Sequence, residues 1–276
     1  MSDFKKQIIT KLTELNKIPI AERSKYYLAD DLVATVGGFI RNDEPLIPVL
    51  SENHSFWVAP FWQDEPVVTP DPELQQLLDK EGDYFRKYIQ QHPDFSFLLR
   101  ATVVAKLEQI QNQLPSHLRL VLKAGYRPLE VQKWLFEDNL QYLRQKFPHY
   151  TEAEIYHLNL EFVADPENFI PPHATGGAVD LLLWDTRTEK PLDMGSPINY
   201  PDDLSWTWNM TNLTKEQRHN RIFLTELMTS NDFANLASEW WHYSYGDQYW
   251  ALFFGEPNCW YNLCNDWHVQ SHLIEN

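Results

Sequence analysis

The sequence predicts an α+β fold in which helices flank a central, largely antiparallel sheet. Apolar residues recur at helical spacing in some windows and alternate in others. The helices and strands so marked follow one another without a strict β-α-β rhythm. With 43% of its 276 residues hydrophobic, the chain holds enough apolar material for a substantial core.

Taken in order, Phe4, Ile8, Ile9, Leu12 and Leu15 recur between Lys and Glu, which reads as an amphipathic surface helix rather than a secretory signal. To about residue 70 the chain then alternates prolines and aromatics with acids, a texture suited to a wrapping segment with short edge strands. Residues 1–70 are therefore expected to be an extension packed on a main domain of residues 71–276. Asp71-Pro72-Glu73 opens a helix with a capping side chain and Pro at the first helical position. Leu99, Val103, Leu107, Ile110 and Leu114 mark another, ending at Pro115. In LRLVLKAGYRP, Leu118, Leu120, Leu122 and Ala124 alternate with Arg119, Val121 and Lys123, predicting a strand that Gly125 and Pro128 stop. Helices follow over about 129–145 and 152–162, the second with a Thr151-x-x-Glu154 capping box. AVDLLLW at 178–184 reads as a buried strand, Thr214-x-x-Gln217 opens a helix to about Thr229, and WWHYSYG reads as a further strand.

Charge and composition narrow the function. With 23 Lys and Arg against 39 Asp and Glu, the formal net charge is -16, which repels phosphate backbones and anionic bilayers and excludes nucleic acid as a partner. Charges or prolines interrupt every apolar run short of the roughly 20 residues a membrane helix needs. Two cysteines are too few to staple a chain of this size. The expectation is a soluble, cytoplasmic protein.

Asp180 is the most informative residue, because a carboxylate inside an apolar strand costs several kcal/mol unless it is paired or bound to metal. His173 precedes it in PPHATGGAVD, where Gly176-Gly177 allows the chain to fold the imidazole back. His242 and Glu239 lie in EWWH, the most aromatic stretch of the chain. Two His and one Asp suit a catalytic zinc site with an open fourth position. Glu239 is then placed to act as general base, and Arg127, just past a strand end, to stabilise an oxyanion. Tyr126 and Trp241 are candidate substrate contacts. Singly, each of these residues has a structural explanation as a hydrogen-bonded core group or turn residue; the combination is what points to chemistry.

H-x-x-G-x-A-x-D at 173–180, E-x-W-H at 239–242 and G-Y-R-P at 125–128 together resemble the zinc D-alanyl-D-alanine dipeptidases of the vancomycin-resistance type, peptidase family M15. The likeness extends to ProLeuAspMetGlySerPro at 191–197, to Arg218-x-Asn220-Arg221 and to the GlyAspGlnTyrTrpAla that follows the second histidine, spanning about residues 95–255. It implies a D-Ala-D-Ala peptidase/Hedgehog-like fold and one zinc ion per chain on His173, Asp180 and His242. It also implies Glu239 as base, Arg127 as the carbonyl-polarising residue and a small dipeptide as substrate. The chain departs from that pattern at Ala124, where several members have Asp, and at Pro171, where they have Ser. At Asn199 the resistance-type enzymes carry an aspartate that looks like the acceptor for the substrate's ammonium group.

Two rival readings are a D,D- or L,D-carboxypeptidase acting on peptidoglycan stem peptides and a non-catalytic zinc-binding module. The module has no use for a base and an oxyanion donor. Cys259, Cys264, His268 and His272 invite a second metal claim, but too few residues separate the second Cys from the first His for a zinc finger, so the tail reads as an aromatic segment laid on the body. The 11 tryptophans read as packing, with Trp206 and Trp208 as loop anchors.

Overall fold

A computed structural model describes residues 39, 43–60, 72–92, 95–199, 203–209 and 211–264. The amphipathic segment at residues 4–15, Asp71, His268 and His272 lie outside them.

Eight strands and six α-helices are found among the described residues: β1 (Leu46–Pro48), β2 (Trp57–Val58), α1 (Pro72–Gln91), β3 (Leu98–Arg100), α2 (Ala101–Gln113), β4 (Leu118–Ala124), α3 (Leu129–Lys146), α4 (Glu152–Asn159), β5 (Ala178–Asp185), β6 (Lys190–Pro191), α5 (Lys215–Ser230), β7 (Ala234–Asn235), β8 (His242–Ser244) and α6 (Gln248–Phe254). The main sheet runs β2-β4-β5-β8-β7, with β6 also on β5, and β1 pairs with β3 in a separate ribbon. Every pairing is antiparallel except β2 with β4. The chain is thus α+β with a largely antiparallel sheet.

Strand periodicity gives the sheet two different faces. Val179, Leu181 and Leu183 of β5 join Leu118, Leu120 and Leu122 of β4 in the main core, against Val103, Leu107 and Ile110 of α2 and Leu224 and Met228 of α5. The opposite face, which carries Asp180, looks toward α1 and α3, where Phe85, Tyr88, Val131 and Leu135 form a second cluster. Gln111 ties α2 to β4 through the core: its amide nitrogen donates to Leu118 O at 3.0 Å, and its oxygen accepts from Leu120 N at 2.8 Å.

Several boundaries differ from the sequence expectation. Leu99 is in a strand, not a helix: Leu98–Arg100 pairs with β1, and α2 starts only at Ala101. Arg100 holds that junction, with its backbone N–H donating to Gly176 O at 3.0 Å and its guanidinium to Thr175 O at 2.8 Å. β4 is buried on both faces except at Arg119, because Val121 and Lys123 are covered as well as the leucines. The helix expected over 152–162 ends at Asn159, where tighter bonds take over (Phe162 N to Asn159 O, 3.1 Å) and turn residues 160–164 across the sheet face. Of WWHYSYG only His242–Ser244 is strand. The capping boxes at Thr151/Glu154 and Thr214/Gln217 form as the sequence suggests. β1 and β2 come from the stretch read as an extension and are hydrogen-bonded into the body.

Candidate active site

Strand register assembles the site. Asp180 pairs with His242 on one side and with Ala124 on the other, so the first two side chains emerge together on the face opposite the main core. A register shift between Leu122 and Ala124 ends β4 there. Beyond it the carbonyl of Gly125 meets His173 Nδ1 at 2.8 Å.

His173 sits in a 3-10 turn, Pro172–Thr175, closed by Gly176 in the left-handed region at φ 75°. Glycine is required there twice over, since a Cβ would also lie 2.1 Å from Leu46 Cδ2. The turn is braced from three sides: Arg127 N donates to His173 O at 3.1 Å, Cys264 N to Ala174 O at 2.9 Å, and Arg100 to Thr175 O. A ligand-bearing turn held this tightly loses little freedom on binding.

Three donor atoms converge. His173 Nε2 lies 3.1 Å from His242 Nδ1 and 3.3 Å from an Asp180 oxygen, and His242 Nδ1 lies 3.0 Å from the other Asp180 oxygen. Donors placed around one tetrahedral ion at zinc distances stand about 3.3–3.5 Å apart, so the cluster has the dimensions of a metal site. The Gly125 carbonyl accepts the proton of His173 Nδ1 and turns the Nε2 lone pair toward the cluster. On the far side of the other imidazole, His242 Nε2 is 3.3 Å from Ser244 Oγ. Among the described residues this is the one group of three His, Cys, Asp or Glu side chains close enough to share an ion. Cys259 is buried and Cys264 half-buried, and no disulfide joins them.

The electrostatics agree with a cation-seeking cluster. Burial opposes the Asp180 charge, but His173 and His242 outweigh it and hold the carboxyl far below its ordinary range. Burial pushes His173 down. It acts the same way on His242, where the hydrogen bond and charge of Asp180, with Glu239 and Asp247, reverse the sign and leave the imidazole raised.

Glu239 stands just outside the cluster, its Oε2 3.8 Å from His242 Nδ1. Burial pushes its carboxyl up to about 8, Asp180 adding to the effect and His242, Arg127 and Trp241 opposing it. Arg127 lines the same cleft, with Nη1 donating to Gln132 Oε1 at 2.8 Å, and it feels the charges of Asp180, Glu239 and Glu81. Asn199, in the left-handed region at φ 61°, and Trp241 also line the cleft. Tyr126 does not: it is buried in the second cluster and its hydroxyl donates to Cys264 O at 2.5 Å, so its place is structural rather than at the substrate.

Sequence reasoning missed several wall residues. Gln132, Asn139 and Glu161 line the cleft, and so do Leu77, Glu81 and Phe85 from one face of α1. The clue was present at Glu81, an acid at the centre of an otherwise apolar helical stripe.

ProLeuAspMetGlySerPro and the Arg218-x-Asn220-Arg221 helix meet behind this wall. Asn220 donates to Asp193 O at 2.9 Å, and Arg221, 1% exposed, donates to the carbonyls of Met194 and Trp206 at 2.6 Å each and to that of Leu204. Ser196 Oγ accepts from Trp240 Nε1 at 2.9 Å.

An α+β scaffold with three convergent donors on a sheet face, a carboxylate beside them and a guanidinium on the same cleft is built as a metal-dependent hydrolase is built. The comparisons narrow the class. The D-ala-D-ala dipeptidase family model matches residues 85–258. A D-alanyl-D-alanine dipeptidase of Synechocystis sp. is 33% identical over 181 residues, covering 56% of this chain and 72% of the relative. One of Escherichia coli is 27% identical over 180 residues, covering 65% and 82%, and one of Enterococcus faecalis is 29% identical over 135 residues, covering 47% and 63%. The chain belongs to the D-ala-D-ala dipeptidase family.

Proposed function

We infer that the protein is a zinc-dependent dipeptidase that splits D-alanyl-D-alanine, or a closely related small dipeptide, into free amino acids. The observation that carries this reading is the convergence of His173 Nε2, Asp180 and His242 Nδ1 within 3.3 Å of one another, with Glu239 3.8 Å away. These three residues would hold the ion. When bound, zinc supplies a Lewis acid that polarises an amide carbonyl and acidifies water.

The chain's own groups do the rest. Glu239 takes a proton from the attacking water at its carboxylate and returns it to the amide nitrogen as the C–N bond breaks, so one water is consumed and two amino acids leave. A carboxyl raised by burial suits a group that must both accept and donate near neutral pH. Arg127, aligned by Gln132, donates to the carbonyl oxygen as negative charge develops on it. Trp241 and the apolar residues Leu77, Leu160 and Phe162 wall the cleft from bulk water. Asn199 offers neutral amide contacts to the substrate. All of these groups fall within residues 71–276, the span read as the catalytic domain.

No helix among the described residues is long and apolar enough to cross a membrane. We place the protein in the cytoplasm, and the net charge of -16 gives nucleic acid and anionic bilayers no purchase.

Replacing the base tests the assignment. Glu239→Ala is expected to retain one zinc per chain by elemental analysis while kcat falls by about 10²–10⁴-fold. A variant that loses zinc, or one that keeps its turnover, contradicts it.

A further inference from the structure

We propose that Glu81, on helix α1, is a specificity residue that receives the free ammonium group of the dipeptide and so selects peptides with an unblocked amino terminus. This rests on the dipeptidase reading and adds to it a residue just before the span matched by the family model.

Four carboxylates line the cleft: Glu81, Glu161, Asp180 and Glu239. Asp180 belongs to the donor cluster and Glu239 stands beside it. Of the other two, Glu161 is 3% exposed and Glu81 is the more open. Glu81 is half-buried at the wall. It falls between Leu77 and Phe85 on one face of α1, a position where an apolar residue would pack at no electrostatic cost. No side-chain hydrogen bond or ion pair joins it to another described residue, so its carboxylate is not what anchors the helix.

The cleft offers a carboxylate to the cationic end of a dipeptide. The donor cluster and Arg127 receive the carbonyl side of the peptide, whereas the α1 wall presents a carboxylate. A dipeptide small enough to enter whole brings its ammonium with it, and that cation needs an acceptor once it leaves water. Asn199 contributes no charge. Burial pushes the Glu81 carboxyl up to about 7, Asp138 adding to this and Arg127 and Lys80 opposing it, so an arriving ammonium restores the stabilisation that water would have given the charge.

Hydrolysis of D-alanyl-D-alanine and of N-acetyl-D-alanyl-D-alanine by zinc-loaded wild type and Glu81→Gln decides the matter. The expected result is a KM for the free dipeptide raised about tenfold or more by Glu81→Gln, with little change in kcat and no change toward the acetylated peptide. Glu81→Asp, which keeps the charge, should lose less. Equal losses on both peptides, or no loss on either, overturn the proposal. If wild type hydrolyses neither peptide, the dipeptidase reading fails, and calorimetric binding of the two peptides still judges Glu81: the assignment stands if Glu81→Gln weakens the free dipeptide alone and falls if it does not.

Discussion

Asp180 and Glu239 lie in one cleft and are driven in opposite directions. The two imidazoles hold Asp180 ionised, and burial keeps the proton on Glu239 until higher pH. Such a split between neighbouring acids allows one to bind a cation while the other moves a proton. A cation on the donors would draw Glu239 toward its ionised form. Glu81 is a third case, with a consequence for stability. Its carboxyl titrates at about 7 in the fold against an ordinary value of 4.5. Below about pH 4.5 it is protonated whether folded or unfolded and costs nothing. As pH rises from about 4.5 to about 7 the unfolded chain releases the proton and the folded chain retains it, so stability is lost across that window and the loss is complete above it. Glu81→Gln removes the penalty. The melting temperature of the variant minus that of wild type, measured in metal-loaded protein, should therefore grow between pH 4.5 and 7; a difference that shrinks would mean that Glu81 is paired in the fold.

Individual elements place these groups through contacts made at their ends. β4 stops where Gly125 passes under Leu98 and Phe97: a Cβ there would lie 2.6 Å from Leu98 O and 2.8 Å from Phe97 Cε1. The same residue's carbonyl orients His173. Gly125→Ala should accordingly cost about 1–3 kcal/mol of stability in a urea titration. Zinc affinity should fall by about 10–100-fold in a chelator competition. Lost stability with undiminished zinc affinity would show that the carbonyl is not what aims the imidazole. Features that depend on neighbouring residues were legible in the sequence, as with the Thr151/Glu154 and Thr214/Gln217 boxes and the acid that interrupts β5. Features that depend on distant partners were not. Leu98–Arg100 has the apolar spacing of a helix start and becomes a strand only because residues 46–48 pair with it. Tyr126, next to Arg127 in sequence, points into the second core cluster, since successive residues past a strand end turn to different sides. Glu81 was legible only as an acid in an apolar stripe, because which wall α1 covers is decided by its packing on α3.

Across the whole molecule, the sheet separates stability from chemistry. One face is packed by α2 and α5 around Leu120, Leu181 and Met228; the other carries Asp180 and His242 beneath a cleft closed by α1, α3 and residues 160–164. Changes to the first face are expected to act on folding, and changes to the second on metal, substrate and rate. The family model accounts for residues 85–258, and β1, β2 and the first part of α1, which precede that span, supply one edge of the sheet, one strand of the ribbon over Gly176 and the Glu81 wall. A change in such a wall can alter what an enzyme admits without altering its mechanism. The most direct test of the account is release of free D-alanine from D-alanyl-D-alanine by the purified protein, with and without a chelator, beside L-alanyl-L-alanine and a pentapeptide ending in D-alanyl-D-alanine. Cleavage of the D,D-dipeptide alone, abolished by the chelator and restored by zinc, is the predicted result. Cleavage of the pentapeptide, or no cleavage of any peptide by zinc-loaded protein, would contradict it.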